Sequence, residues 1–184
     1  MNAGPDGRPA GRTGRRIWIV GAPGAGKSTL AKSLSLTLGL PHRELDALFW
    51  QSGWRRADDE AFREAVSGLA AEDAWIIDGQ YEDVHPLLGQ VADVVIWLDP
   101  PRAVALRRTA LRALRRLLGR EELWNGNREH PRSAWNLLVW AWRTRDDVES
   151  ANLRLLGRLA ARGAWGLRAR SSQEAHSLLV AQWA

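Results

Sequence analysis

The feature that most constrains this chain is a glycine-rich turn set between an apolar run and a helical one. Arg16-Ile17-Trp18-Ile19-Val20 is short, mostly apolar, rich in β-branched residues and ends at glycine, so it reads as a buried strand. Gly21-Ala22-Pro23-Gly24-Ala25-Gly26-Lys27-Ser28 follows at once. From Ser28 to Leu38, apolar residues fall at Leu30, Ala31, Leu34 and Leu38, a helical spacing closed by Gly39 and Pro41. Gly21, Gly26, Lys27 and Ser28 meet the spacing G-x-x-x-x-G-K-[ST] in the strand-turn-helix setting that it requires. Glycines let the backbone wrap so that its N–H groups converge on an anion, and the following helix adds its positive end. Gly21, Ala22, Pro23, Gly24, Ala25, Gly26, Lys27, Ser28 and Thr29 are therefore the candidate phosphate-binding residues.

A lysine and a hydroxyl at the end of such a loop point to a nucleoside triphosphate with Mg²⁺. Lys27 would neutralise the β/γ oxygens and the Ser28 hydroxyl would coordinate the metal. No Asn/Thr-Lys-x-Asp guanine-specificity motif stands near the end of the chain, so ATP is expected over GTP.

Two more apolar runs end in an acidic residue beside turn formers: Ala74 to Ile77 before Asp78-Gly79, and Val94 to Leu98 before Asp99-Pro100-Pro101. A parallel strand delivers such side chains to the active edge of its sheet. Asp78 is thus expected to hold Mg²⁺ directly or through water; its other reading is a cap on the next turn. Asp58 to Ala71 is an amphipathic helix by spacing, and an Arg-rich helix runs from Pro101 to about Leu118. An irregular stretch around Trp124-Asn125-Gly126-Asn127 precedes a helix carrying Trp135 to Trp142. A weak strand near Trp165 to Arg170 and a helix from Ser172 to Trp183 close the chain. The alternation predicts an α/β fold, a parallel sheet with helices on both faces.

Asp46 falls in Glu44-Leu45-Asp46-Ala47-Leu48-Phe49-Trp50, where a second strand is expected to end. A carboxylate there could accept a hydrogen bond from an acceptor hydroxyl or take its proton; the alternative is a helix N-cap. Trp50 and Trp54 would wall the acceptor pocket, or simply pack. Arg108 and Arg112 stand at i, i+4 on one helix, and two neighbouring guanidinium groups repel unless an anion lies between them. A transferring phosphoryl group is such an anion.

With 184 residues, one compact domain is expected over 16–184, preceded by a disordered tail over 1–15. The absence of cysteine excludes disulfides, thiolate catalysis and thiolate zinc sites, and the four histidines lack ligand spacing. No apolar run reaches the length of a membrane helix and no signal peptide is evident, so a cytoplasmic location is expected. The net charge is +5, but the arginines concentrate between Arg102 and Arg170, which points to polyphosphate before DNA. Of the 11 tryptophans, Trp135, Trp140 and Trp142 are expected to line a pocket or a dimer surface, because one small core cannot bury them all.

These residues resemble the adenylate-kinase-like P-loop proteins often labelled DNA topology modulation proteins. The likeness runs from about Ile17 to Arg145. It rests on the glycine-rich loop, Leu45-Asp46-Ala47-Leu48-Phe49-Trp50 with Gly53-Trp54, Trp75-Ile76-Ile77-Asp78-Gly79-Gln80-Tyr81, Val95-Ile96-Trp97-Leu98-Asp99 with Pro101-Arg102, and Arg120-Glu121-Glu122-Leu123-Trp124-Asn125-Gly126-Asn127-Arg128-Glu129. The wider resemblance, to nucleoside monophosphate kinases, implies a three-layer fold with a five-stranded parallel sheet, an acceptor-binding insertion after the second strand and a helical lid around 115–132. It also implies lid arginines at Arg108 and Arg112. Gln80 and His85 depart from it, since the relatives usually have Asn at the first position and many have an arginine at or near the second. The resemblance therefore does not imply an AMP-type acceptor, and Tyr81, His85, Arg55 and Arg56 are the candidates on that side.

The leading expectation is an ATP-dependent small-molecule phosphotransferase. Lys27, Arg108, Arg112 and Asp46 would be its catalytic residues, Ser28 and Asp78 its metal ligands, and Asp46, Trp50, Trp54, Tyr81 and His85 its acceptor-binding residues. Its alternative is a nucleotide-dependent regulator or ATPase that acts on a protein or nucleic-acid partner through the basic C-terminal half. A kinase for 5′-hydroxyl polynucleotides is a third reading. No helix-turn-helix or recognition helix is evident, so sequence-specific DNA binding is not expected.

Overall fold

The computed structural model describes residues 14–119 and 121–183. Most of the tail expected over 1–15 therefore lies outside the described residues. Strand β1 (Arg16–Val20) leads through the glycine-rich loop into α1 (Lys27–Leu38), and β2 (His42–Glu44) follows. Next come α2 (Leu45–Phe49), a hairpin of β3 (Trp50–Gln51) and β4 (Arg55–Arg56), α3 (Asp59–Ala71), β5 (Trp75–Asp78) and α4 (His85–Val91). Strand β6 (Val94–Leu98), α5 (Arg102–Gly119), α6 (Pro131–Arg143), α7 (Arg145–Ala161), β7 (Trp165–Ala169) and α8 (Ser172–Trp183) complete the order.

The five long-range strands form one parallel sheet in the order β2-β5-β1-β6-β7, with β1 at its centre. Alternation along the strands divides the core into two layers. Ile17, Ile19, Ile76 and Ile96 point to one face, where α1 and α8 cover them with Leu30, Leu34, Ala175 and Leu179. Trp18, Val20, Trp75, Ile77 and Trp97 point to the other, against Phe62 and Val66 of α3, Leu88 of α4, and Leu155 and Leu159 of α7. Trp18, Trp75 and Trp97 are wholly or almost wholly buried, so indole rings fill much of this second layer. Both faces being covered, the three inner strands β5, β1 and β6 read as mostly continuous apolar runs.

Three local differences from the sequence reading matter for the site. Strand β2 stops at Glu44, so Asp46 lies in the first turn of α2 instead of at a strand end. Leu45 and Phe49, four apart and both buried, give that short helix its inward stripe. The β3–β4 hairpin places Trp54 at its turn. Helix α7 follows α6 after Thr144 alone, a boundary that neither glycine nor proline marks. Asp58 caps α3 by accepting from the amides of Glu60 and Ala61.

On α6, Trp135, Trp140 and Trp142 are exposed, with Arg102 lying over the Trp142 ring at 3.7 Å. They do not pack singly into the core. No helix among the described residues is long and apolar enough to cross a membrane.

Asp99, just past β6, fastens α7 and β7 to the end of that strand. Its amide donates to the Ala169 carbonyl at 2.8 Å, and its carboxylate receives Arg145 on one oxygen and Arg168 on the other. Arg168 also lies over the Trp97 ring at 4.1 Å and reaches Glu149 on α7 at 3.1 Å. The hydrogen bond to Asp99 holds its guanidinium pKa above the ordinary value. Asp99→Ala strands the largely buried Arg145 charge and is expected to cost about 3 kcal/mol. For a chain of this size that lowers Tm by roughly 6–12 °C, measurable by calorimetry.

Candidate active site

The glycine-rich loop is wedged between the end of β6 and the first turns of α5. A side chain on Gly24 (φ +76°) would stand 2.1 Å from the Ala105 carbonyl oxygen, and one on Gly21 (φ +143°) 2.4 Å from that of Leu98. Only glycine fits either place. Gly26 then turns into α1 with no side chain capping the helix start, so the first amides of α1 remain for an anion. The Ser172 hydroxyl, at the start of α8, donates to the Gly26 carbonyl at 3.2 Å and steadies the turn from the far side.

Lys27 curls over the loop, its Nζ donating to the carbonyls of Gly21 at 2.8 Å and Ala22 at 3.2 Å. Burial lowers its pKa; the carboxylates of Asp46 and Asp78 oppose that shift, and Arg112 adds to it. Ser28 follows, its hydroxyl donating to Asp78 Oδ2 at 2.6 Å. Asp78 is buried at the C-terminal end of β5, and its other oxygen meets His42 Nε2 at 2.7 Å. His42, Glu44 and Asp78 offer ligand atoms within 4.8 Å of one another, a juxtaposition invisible in the sequence spacing. Glu44 is also engaged by the Trp124 indole at 2.7 Å.

Asp46 acts on Lys27 electrostatically, and its Oδ1 accepts from the Tyr81 hydroxyl at 2.5 Å. Burial first, and the Asp46 carboxylate second, push the phenol far above its ordinary pKa, so Tyr81 stays a donor. Around this pair, Phe49 packs on Tyr81 at 4.3 Å, Trp50 on Phe49 at 5.0 Å and Trp54 on Trp50 at 5.5 Å between ring centres. Arg56 lies over Phe49 at 5.0 Å.

From above, α5 supplies the arginines. Arg108 is exposed and lies beside Gly26, 3.9 Å from where a side chain there would start. Arg112 is half-buried; burial lowers its pKa, Arg116 adds to that, and Asp46 counters it. Arg115 and Arg116 are turned to Glu121 and Glu129. The fold thus brings Lys27, Asp46, Asp78 and Arg112 within electrostatic reach of one another. Thr29 is exposed in the first turn of α1.

No known family model matches the sequence. An uncharacterised Bacillus subtilis (strain 168) protein, YqaC, is 29% identical over 129 residues, covering 69% of this chain and 71% of that one. Among solved structures, shikimate kinase from Acinetobacter baumannii in complex with shikimate superposes with a TM-score of 0.53 at 17% identity, over 92% of this chain and 95% of the kinase. The two chains share one fold, an α/β architecture built on a five-stranded parallel sheet. A gluconokinase from Sinorhizobium meliloti 1021 aligns over 83% of this chain and 95% of its own at 18% identity, with a TM-score of 0.46.

Within this fold, two features escape sequence reasoning. Gln80 Oε1 accepts from the Gly21 amide at 3.0 Å, and its amide pairs with that of the fully buried Asn152 on α7, at 2.9 and 3.3 Å. A partner 72 residues away leaves no local signal. His85, a candidate for the acceptor side, instead packs edge-on against Trp18 at 5.1 Å, and its Nε2 is buried without a hydrogen-bond partner.

Burial lowers the His85 pKa, Glu82 partly countering this and Arg158 adding to it. A histidine kept neutral by folding contributes stability above its unfolded pKa and loses it as the pH falls below that value, because the unfolded chain takes the proton more readily. Thermal unfolding is therefore expected to move to lower temperature between about pH 7 and pH 5, with a smaller shift in His85→Asn. Equal shifts in the two proteins would show that His85 does not govern this window.

Proposed function

We propose that the chain is an ATP-dependent phosphotransferase acting on a small-molecule acceptor. The observation that carries this reading is that Arg112 and Asp46, from two other elements, both act electrostatically on Lys27 of the phosphate loop. Two cations beside a phosphate cradle suit the charge that spreads over a transferring phosphoryl group. A carboxylate opposite them suits an acceptor hydroxyl.

In this reading the loop amides and Lys27 bind the triphosphate, and Arg112, with Arg108 at the rim, stabilises the group in flight. Asp46, held by Tyr81, orients the acceptor hydroxyl and accepts its proton as the hydroxyl oxygen attacks the γ-phosphorus. ADP leaves with the β–γ bridging oxygen and its electron pair. Ser28 and Asp78 present hard oxygen donors side by side, a set that fits Mg²⁺, and the ion would neutralise phosphate charge there. His42 fixes the second oxygen of Asp78. Trp50 and Trp54 wall the acceptor side. The narrower likeness to DNA topology modulation proteins rests on the motif residues alone.

The test is ADP production from Mg-ATP by the purified protein, alone and with a panel of nucleoside monophosphates, nucleosides, small hydroxy acids and sugars. One acceptor that raises turnover and becomes phosphorylated supports the reading; ATP binding with no acceptor phosphorylated overturns it. Lys27→Ala is expected to lower turnover by about 10²–10³-fold while leaving Tm nearly unchanged. Asp46→Asn should lower turnover about 10²-fold with ATP affinity preserved, and equal losses of both would make Asp46 structural.

A further inference from the structure

Helices α5 and α6 hold a charge asymmetry that the chemistry above does not use. Together they carry eight arginines and not one aspartate or glutamate. The rest of the chain has 18 basic residues against 21 acidic ones, so the whole positive excess of the protein resides in these two helices. Part of that charge is engaged: Arg112 acts on Lys27, Arg115 and Arg116 turn to Glu121 and Glu129, and Arg102 lies over Trp142. Arg107, Arg132 and Arg143 are exposed and enter no ion pair among the described residues.

Apolar side chains stand in the open among these arginines. Val104, Leu111 and Leu118 recur every seven residues along α5 and form one stripe, which Leu114 widens; all four are exposed, Leu118 to 77%. The stripe runs opposite the side of α5 on which Ala105, Thr109 and Ala113 are buried, where the first two press on Gly24. Helix α6 packs beside it. Trp142 meets α5 through Arg102, and Trp135, seven residues before it, lies on the same stripe of α6 and is 67% exposed. A merely solvated helix face carries charges of both signs and few large apolar residues. This one carries a single sign, leucines and indoles.

We propose that the outer face of α5 and α6 is a docking surface for an anionic lipid bilayer, a peripheral contact and not a span. The guanidinium groups meet headgroup phosphates, the indoles lie at headgroup level, and the stripe from Leu111 to Leu118 enters the acyl boundary. Charge selects this partner over the others. A second copy of the chain would set the same cationic patch against itself, which repels. A nucleic acid would take up the arginines, but valine and leucine offer bases no stacking surface and no hydrogen bond. The sequence before residue 14 has arginines but no leucine, valine or aromatic residue with which to cover the stripe. Docking of this kind requires no phosphotransfer and is tested without it.

The full chain is mixed with vesicles of phosphatidylcholine alone, or of phosphatidylcholine and phosphatidylglycerol in equal parts, and floated on a density gradient. It should rise with the anionic vesicles and not with the neutral ones, and raising NaCl from about 0.1 M to about 0.5 M should weaken binding tenfold or more. Brominated acyl chains should quench its tryptophan fluorescence. Two double variants of exposed residues separate the contributions: Leu111→Gln with Leu118→Gln, and Arg107→Glu with Arg132→Glu. Both should keep the wild-type Tm, each should weaken binding at least tenfold, and the leucine pair should also lose the quenching. Wild-type protein that stays behind when anionic vesicles float overturns the proposal. Unchanged flotation of the leucine pair does the same, since charge alone would then account for binding. Tighter binding to an oligonucleotide than to the vesicles at one salt concentration, unaltered in the leucine pair, assigns the face to nucleic acid instead. A dimer in sedimentation that the leucine pair dissociates assigns it to a second copy.

Discussion

A peptide carbonyl, that of Ala105, stands where a side chain on Gly24 would have to go, and the site is organised around that contact. The phosphate loop keeps its shape because α5 presses on it directly. In turn α5 cannot be placed without the loop beneath it. The helix that carries Arg108 and Arg112 is thus located by the loop those arginines overlook. Thr109, fully buried, donates its hydroxyl to that same Ala105 carbonyl at 2.9 Å. Cradle and cations are therefore set by one packing decision.

The rest of the site gathers on this wedge from separate elements. Strand β5 delivers Asp78 to Ser28, α2 delivers Asp46, and the buried amide pair of Gln80 and Asn152 ties the loop's first residue to α7. Each of these side chains is held by a hydrogen bond whose partner lies elsewhere in the chain. Such an arrangement gives fixed geometry without a rigid scaffold of loops.

What the sequence makes legible is what local periodicity encodes. Ile17 to Val20, the glycine turn and the spacing of Leu30, Ala31 and Leu34 announce strand, loop and helix, because each pattern spans only a few residues. Asp78 is visible as a strand-end carboxylate for the same reason. The position of Asp46 was not, since β2 has only β5 as a neighbour and three residues of pairing leave little apolar signal. His85 turns inward to Trp18, a choice made by tertiary packing. Asn125 donates to the Trp50 carbonyl and Asn127 to that of Gln51, bonds that span more than 70 residues, beyond any local pattern. The left-handed turn at Trp54 has no composition cue beyond the preceding glycine.

The central place of β1 has a consequence for how the chain comes into being. Among the described elements it is made first, yet Ile17 pairs with Ile76 and with Val94, far along the chain. Until those strands are made, an apolar β-strand waits with both of its edges unpaired, the state most prone to aggregate. Parallel pairing at such separation closes late and slowly. Nascent chains halted between β1 and β5 would therefore depend on chaperones far more than the finished protein does.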